Sequence, residues 1–85
     1  MYLQVTRADG AVNSFEITPA VEYAFELTHK KSYYKTFREE EKQTDLYWLA
    51  WECIRRSGQE TVKPFGMEFV ESLKSVEILP DDPNG

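Results

Sequence analysis

The chain has 85 residues, of which 41% are hydrophobic and 14% are aromatic, and its size allows one small domain with one core. Ten Lys and Arg against fifteen Asp and Glu leave a net charge of −5. This balance argues against binding of nucleic acid or of an anionic membrane, because both need basic clusters. A domain this small has a thin stability margin, which self-association commonly widens.

The cysteine count and the hydropathy pattern favour a cytosolic location. The lone Cys53 excludes an intramolecular disulfide and a cysteine-based metal cluster, and it suits a reducing environment. No hydrophobic run approaches the ~18 residues of a membrane span, and the N-terminus lacks a signal-peptide pattern. The sequence therefore predicts a cytosolic, non-enzymatic protein that contacts neither membrane nor nucleic acid.

Residues 1–17 predict a β-hairpin, since two segments rich in β-branched and aromatic residues flank a turn signal at 8–10. A two-residue loop would pair Leu3 with Glu16, whereas a three-residue loop with its glycine left-handed pairs Leu3 with Phe15. We predict the second register because it alone gathers the apolar side chains on one face. These predicted core residues are Leu3, Val5, Phe15 and Ile17.

The next predicted element is an amphipathic helix over about residues 19–31. Thr18 is a typical N-cap, and Pro19 suits the first helical position, where its missing N–H costs nothing. His29 falls on the polar arc and is predicted to be a solvated surface histidine rather than a catalytic base. The apolar arc contains Ala20, Val21, Tyr23, Ala24, Phe25 and Leu27, with Phe25 predicted in the core.

Residues 32–42 predict a short helix followed by a connector. Thr36 and Glu39 fit a capping box within this segment. Three aromatic residues at helical spacing are candidates for a surface that self-associates or binds a partner protein. These predicted contact residues are Tyr33, Tyr34 and Phe37.

The clearest element is a helix over about residues 45–57. Thr44 can cap its N-terminus, and Gly58 is predicted to end it. Its apolar arc spans roughly 200° of the helical wheel. That arc contains Leu46, Tyr47, Leu49, Ala50, Trp51, Cys53 and Ile54, of which Leu46, Leu49 and Trp51 are predicted core and Cys53 a buried, inert thiol.

Trp48 lies outside this arc, between Glu52 and Arg55 on the polar side. Two interpretations remain open at this stage. Trp48 either completes a small core, lying under Arg55 or against the preceding connector, or forms with Tyr47 a contact surface, where Trp and Tyr are enriched. The second follows if a hairpin and two short helices cannot cover so wide an apolar arc.

A final helix is predicted over about residues 64–76, with Phe69 and Leu73 on its buried stripe. The segment 80–85 contains two prolines and two acids and is predicted to be a flexible acidic tail. Residues 1–79 then form a single compact domain. The predicted fold class is α+β, with an N-terminal β-hairpin packed on a small bundle of three to four helices.

Candidate catalytic and metal-binding residues do not form a recognisable pattern. The single His and the single Cys lie on different predicted helices, so no nucleophile and base can be paired. The acids Glu22 and Glu26 and the acidic run at 39–41 are typical of a solvated surface. Calcium, zinc, phosphate and dinucleotide motifs are missing from the sequence. We predict no catalytic residue, no metal site and no cofactor.

The segment TDLYWLAWECIRRSG at 44–58, followed by PFGMEFVESL at 64–73, resembles the short tail assembly chaperones of long-tailed bacteriophages. Those small acidic proteins carry a Trp-containing helix that ends in Arg-x-Gly, then a loop, then a helix that begins with Pro-Phe. The resemblance covers about residues 44–79, with looser support from the helix at 18–31. Its motifs are aromatic patterns and supply no catalytic residue.

The resemblance implies a non-catalytic role in the host cell cytoplasm. Members coat the long, hydrophobic tape measure protein, keep it soluble and leave before the virion is complete; they commonly form homo-oligomers, and many are also made as a longer frameshifted product. The family lends weight to Trp48, Trp51, Phe65 and Phe69 as structural or contact aromatics. Two other classes remain open, namely a virion component such as a head–tail connector and a small acidic regulator of a host protein.

Overall fold

The computed structural model describes residues 1–40 and 42–80 of the chain, so the predicted flexible tail lies outside the described residues from 81 onward. The architecture is α+β, with an N-terminal β-hairpin and several helices, which confirms the predicted fold class. The elements in chain order are β1 (Tyr2–Arg7), β2 (Val12–Glu16), α1 (Pro19–His29), α2 (Tyr33–Lys35), a π-helical segment (Thr36–Glu40), α3 (Gln43–Ser57), α4 (Met67–Glu71) and β3 (Leu73–Leu79).

The hairpin has the register of the three-residue loop. Leu3 pairs with Phe15 and Val5 pairs with Asn13, and Gly10 adopts a left-handed φ of 95° that a side chain would strain. Leu3 and Val5 are completely buried. The prediction is confirmed, and its reason holds because a slip by one residue would turn both side chains towards solvent.

The predicted helix over 64–76 is wrong. This part of the chain forms only the single turn and a half of α4 and then the strand β3, which pairs antiparallel with β1 and gives a sheet of order β2-β1-β3. Val76 lies opposite Val5, and Ile78 lies opposite Leu3. Alternate residues of β3 therefore extend the apolar inner face that the hairpin begins.

Helices cover this inner face of the sheet. Helix α3 packs on β1, on β3 and on α1, and its buried side chains occupy most of its circumference: Asp45, Leu46, Trp48, Leu49, Ala50, Glu52, Cys53 and Ile54. The remaining predicted core residues divide in two groups. Ile17, Phe25 and Phe69 are buried, whereas Phe15, Trp51 and Leu73 are partly buried against the same core.

Two predicted helix caps are replaced by others. Ser32, not Thr36, caps α2, because the Ser32 hydroxyl accepts a hydrogen bond from the Lys35 N–H at 3.2 Å while Thr36 is buried. Helix α3 begins at Gln43, ahead of Thr44, so the Thr44 hydroxyl does not act as the N-cap. The predicted stop at Gly58 is confirmed, since this residue adopts the left-handed conformation that ends helices.

Candidate protein-binding surface

Two of the five predicted contact residues lie in the core. Trp48 is 7% exposed, and its ring centroid lies 5.9 Å from that of Phe25 and 4.9 Å from that of His29. Tyr33 is also buried and meets Phe25 edge-on at 5.9 Å. Of the two interpretations of Trp48, the contact surface is therefore wrong and the core is confirmed, because Phe25 and His29 of α1 cover the side of α3 that carries Trp48.

His29, predicted to be solvated, is half-buried and joins this aromatic cluster. Its ring stacks on Phe25 with centroids 4.3 Å apart, and its Nδ1 lies 3.1 Å from the Phe25 carbonyl oxygen. Its Nε2 lies 3.9 Å from Oδ1 of the buried Asp45, whose other oxygen accepts a hydrogen bond from Lys31 Nζ at 2.9 Å. These contacts fasten the end of α1 to the start of α3 and indicate a structural role for the histidine.

Glu52 was not predicted from the sequence as a buried group, yet it is only 2% exposed. Arg55 Nε donates to its Oε1 at 2.8 Å, and Arg56 Nε donates to its Oε2 at 2.9 Å. Both oxygens are thus paired within one turn of α3, which compensates the cost of burying the charge. The spacing of one acid and two arginines predicts these ion pairs but not their burial.

The aromatics named by the phage-family resemblance form a continuous row beside α3. Trp51 lies 6.2 Å from Phe65, and Phe65 lies 6.3 Å from Phe69, between ring centroids. Trp51 Nε1 donates to the carbonyl oxygen of Lys63 at 2.8 Å, and the Arg55 guanidinium lies 5.6 Å from the Trp51 ring. This row ties the loop after α3 to the helix and therefore serves structure.

The predicted contact residues Tyr34 and Phe37 lie together at a surface cleft of about 330 Å³. Tyr34 is 64% exposed, and the Arg38 guanidinium lies 5.2 Å from its ring and donates to its hydroxyl. Tyr47, the fifth predicted contact residue, is partly buried against the core. We call this the aromatic cleft; its walls are Met1, Tyr33, Tyr34, Phe37, Arg38 and Ile78.

A second cleft, of about 370 Å³, shares Tyr33 and Tyr34 with the aromatic cleft as lining residues. Tyr23 stands at its wall with 66% of its surface exposed, although the sequence placed it on the apolar arc of α1. The Glu26 carboxylate accepts a hydrogen bond from the Tyr33 N–H at 2.8 Å. We call this the acidic cleft; its walls are Pro19, Glu22, Tyr23, Glu26, Tyr33 and Tyr34.

Tyr33 lines both clefts and is held neutral by its surroundings. Burial and, to a smaller extent, the charges of Glu22 and Cys53 together raise the pKa of Tyr33 to about 12. Its buried hydroxyl has no hydrogen-bond partner among the described residues. The phenol therefore stays a potential donor at any physiological pH.

Cys53 is buried, as predicted. Burial, helped by the neighbouring Glu52 carboxylate and opposed by Arg56, raises the pKa of its thiol to about 11. Since the thiolate is the nucleophilic form, the side chain is inert near neutral pH. Across the described ranges, three or more His, Cys, Asp or Glu side chains are nowhere grouped so as to hold a metal ion.

In 1–40 and 42–80, no helix is long and apolar enough to cross a membrane. Comparison of the chain with known protein families finds no matching family, and comparisons with curated proteins and with solved structures find no similar protein. The two clefts beside Tyr34 offer apolar area, one cation and two carboxylates, which is the chemistry of protein recognition.

Proposed function

We propose that this chain is a non-catalytic bacteriophage tail assembly chaperone, which binds and solubilises the tape measure protein during tail morphogenesis in the host cell cytoplasm. The observation that supports the proposal is the aromatic cleft beside the exposed Tyr34. Large exposed aromatics next to an apolar depression are typical of protein-binding sites. The resemblance of segments 44–58 and 64–73 to phage tail chaperones supplies the identity of the client.

The aromatic cleft suits an apolar side chain presented by a helical client. Such a side chain enters between Phe37 and Ile78, while Tyr34 covers it from the rim. Because Arg38 holds the Tyr34 ring by stacking and by a hydrogen bond, the ring loses little conformational freedom when a client binds. The net charge of −5 keeps the complex soluble once the apolar stripe of the client is covered.

Co-expression with the long coiled-coil protein encoded by the neighbouring gene tests the proposal. We expect the two proteins to co-purify and the long protein to stay in the soluble fraction only when this chain is present. Tyr34→Ala removes an exposed side chain from the rim of the cleft and should lower recovery of the client by about tenfold without unfolding the domain. Tyr2→Ala, which removes another exposed tyrosine outside the cleft, is the matched control.

Two results would contradict this function. If the long protein remains insoluble when the wild-type chain is present, it is not the client. If Tyr34→Ala and Tyr2→Ala lower recovery of the client equally, the aromatic cleft is not the binding site. A virion component would use the same surface permanently rather than transiently. Mass spectrometry of purified virions separates the two, because a chaperone is expected to be absent from the finished particle.

A further inference from the structure

The outer edge of β2 presents backbone groups that no other strand of the described chain pairs with. The N–H of Ile17 donates to the carbonyl oxygen of Met1 at 3.0 Å, and the N–H of Arg7 donates to that of Ala11 at 2.7 Å. Because hydrogen-bonded positions alternate along an antiparallel pair, the odd-numbered residues of β2 bond to β1. The even-numbered residues therefore direct their N–H and C=O groups away from the sheet; these are Val12, Ser14 and Glu16.

The other edge of the sheet, β3, carries features that oppose pairing with a further strand. A shift of register leaves Lys74 as the extra residue of a bulge, and Pro80, which has no N–H, directly follows the strand. Lysine, proline and bulges are the means by which proteins protect an edge strand. The strand β2 contains neither lysine nor proline, and its register with β1 runs without a shift. Of the two edges, β2 is therefore the one open to a further strand.

A surface cleft of about 200 Å³ adjoins β2 on the inner face of the sheet. Phe15 of β2, Val21 of α1 and Cys53 of α3 contribute to its lining. Helix α3 packs on β1 and β3, and Phe15 stays only partly buried. Residues directly opposite each other on neighbouring strands carry their side chains on the same face. A residue opposite Phe15 on an added strand therefore directs its side chain towards this cleft.

We propose that the free edge of β2 binds an extended segment of a partner protein, which adds a fourth strand to the sheet. Main-chain hydrogen bonds to Val12, Ser14 and Glu16 hold the segment, and the cleft selects an apolar side chain opposite Phe15. Glu16 makes no ion pair within the described residues, so a basic side chain opposite it completes the recognition. The segment thus has a basic residue next to an apolar one.

A second copy of this chain fits the edge less well than a basic segment does. Two copies paired through β2 supply no cation for Glu16, because β2 contains no basic residue, and each copy carries a net charge of −5. The inference goes beyond the proposed function, since the cleft beside β2 and the aromatic cleft have no described lining residue in common. The two sites can therefore be tested separately.

Titration of the full chain with a synthetic peptide tests the proposal. The probe is the capped peptide Thr-Lys-Leu-Thr-Val-Thr, which alternates polar and apolar residues and places a lysine next to a leucine. Amide hydrogen exchange, followed by NMR, should become at least about tenfold slower at Val12, Ser14 and Glu16 when the peptide is present in excess. Asn13 and Phe15 already bond to β1 and should exchange slowly with or without it.

Charge exchange between chain and peptide provides the matched variants. Glu16→Lys should weaken binding of the peptide by at least about fivefold, and a peptide with glutamate in place of the lysine should recover that loss. Glu77→Lys, the same substitution at an exposed position of β3, should bind the original peptide as the wild type does. Ser14→Pro removes an outward N–H but no bond to β1, so it should abolish peptide binding in a domain that thermal melting shows to be folded.

Four results overturn the proposal. The first is fast exchange at Val12, Ser14 and Glu16 in excess peptide, and the second is equal binding by Glu16→Lys and Glu77→Lys. The third is slow exchange at the same amides without peptide together with sedimentation at twice the monomer mass of 10.0 kDa, which assigns the edge to a second copy. The fourth is loss of peptide binding in Tyr34→Ala, which assigns the peptide to the aromatic cleft.

Discussion

Trp48 and Trp51 lie three positions apart on α3 and meet different surroundings. Trp48 is enclosed by Phe25 and His29 of α1, whereas Trp51 covers a loop and keeps part of its ring in solvent. The helical wheel placed Trp51 in the core and left Trp48 open between the core and a contact surface, because Glu52 and Arg55 flank Trp48 and made its side of the helix look polar. Glu52 is itself buried, so its polarity was a poor guide to exposure.

Truncation of the two tryptophans should therefore have unequal effects. Trp48→Ala leaves a cavity inside the aromatic cluster and is expected to lower the free energy of unfolding by ~3–5 kcal/mol, enough to unfold a marginal domain. Trp51→Ala removes a half-exposed ring and one hydrogen bond, which together should cost ~1–2 kcal/mol. Urea denaturation of both variants measures the difference. A larger loss for Trp51→Ala would contradict the packing described for Trp48.

Cys53 and Tyr33 should make the domain less stable in alkali. The thiol has a pKa of about 11 in the native state against 9.0 for the free group, and the phenol about 12 against 10.0. As the pH rises through this interval, the unfolded chain releases protons that the native chain retains, so the free energy of unfolding falls. Below about pH 9 neither group contributes a pH dependence.

Urea denaturation at about pH 8 and about pH 10.5 measures this loss, and Cys53→Ala should reduce it. A thiol reagent at about pH 8 provides a second readout, because Cys53 should react only after urea has unfolded the chain. Rapid labelling of the native protein, or stability that increases towards pH 10.5, would contradict the burial of the thiol.

The strand β3 is the element that sequence patterns misassigned. Phe65, Phe69 and Leu73 recur at intervals of four residues, which is typical of a helix, but Val76 and Ile78 alternate with polar residues, which is typical of a strand. The second pattern is short, and its partner β1 lies at the other end of the chain. Local periodicity could not show that the hairpin needs a third strand to form a stable sheet.

Substitutions on opposite faces of β3 test its assignment. Val76 faces the core opposite Val5, whereas the neighbouring Glu77 is exposed. Val76→Lys should lower the free energy of unfolding by ~3 kcal/mol or more, because it places an unpaired charge in the apolar interior. Glu77→Lys, the matched control with the same new side chain, should change it by less than about 0.5 kcal/mol. Equal effects would be inconsistent with a strand whose faces alternate.

At the scale of the molecule, the sequence predicts the parts that depend on neighbouring residues. The hairpin register, α1 and the long α3 follow from turn chemistry, capping and a clear apolar arc. The order of the sheet does not, because it depends on pairing between the first and the last strand. The same distinction explains why His29 was taken for a surface residue, since its partner Asp45 lies on another element.

The candidate site was predicted in part for the same reason. Tyr34 and Phe37 were selected from their spacing, and both lie at the aromatic cleft. Tyr23 was missed because its place on the apolar arc of α1 favoured burial, and the arc proved wider than the core that it covers. Tyr33 and Tyr34 line both the cleft that carries Arg38 and the cleft that carries Glu22 and Glu26. No pattern within α1 or within the π-helical segment shows that these two clefts adjoin.

The central strand of the sheet also determines when the fold can be completed. The ribosome makes β1 first, and the hairpin partner β2 follows within a few residues, but the other neighbour of β1 is the last strand in the described chain. The backbone of β1 therefore cannot form its hydrogen bonds with β3 until residue 79 has left the ribosome. Until then Leu3 and Val5 lack their cross-strand neighbours Ile78 and Val76, and the edge of β1 in the nascent hairpin stays unpaired.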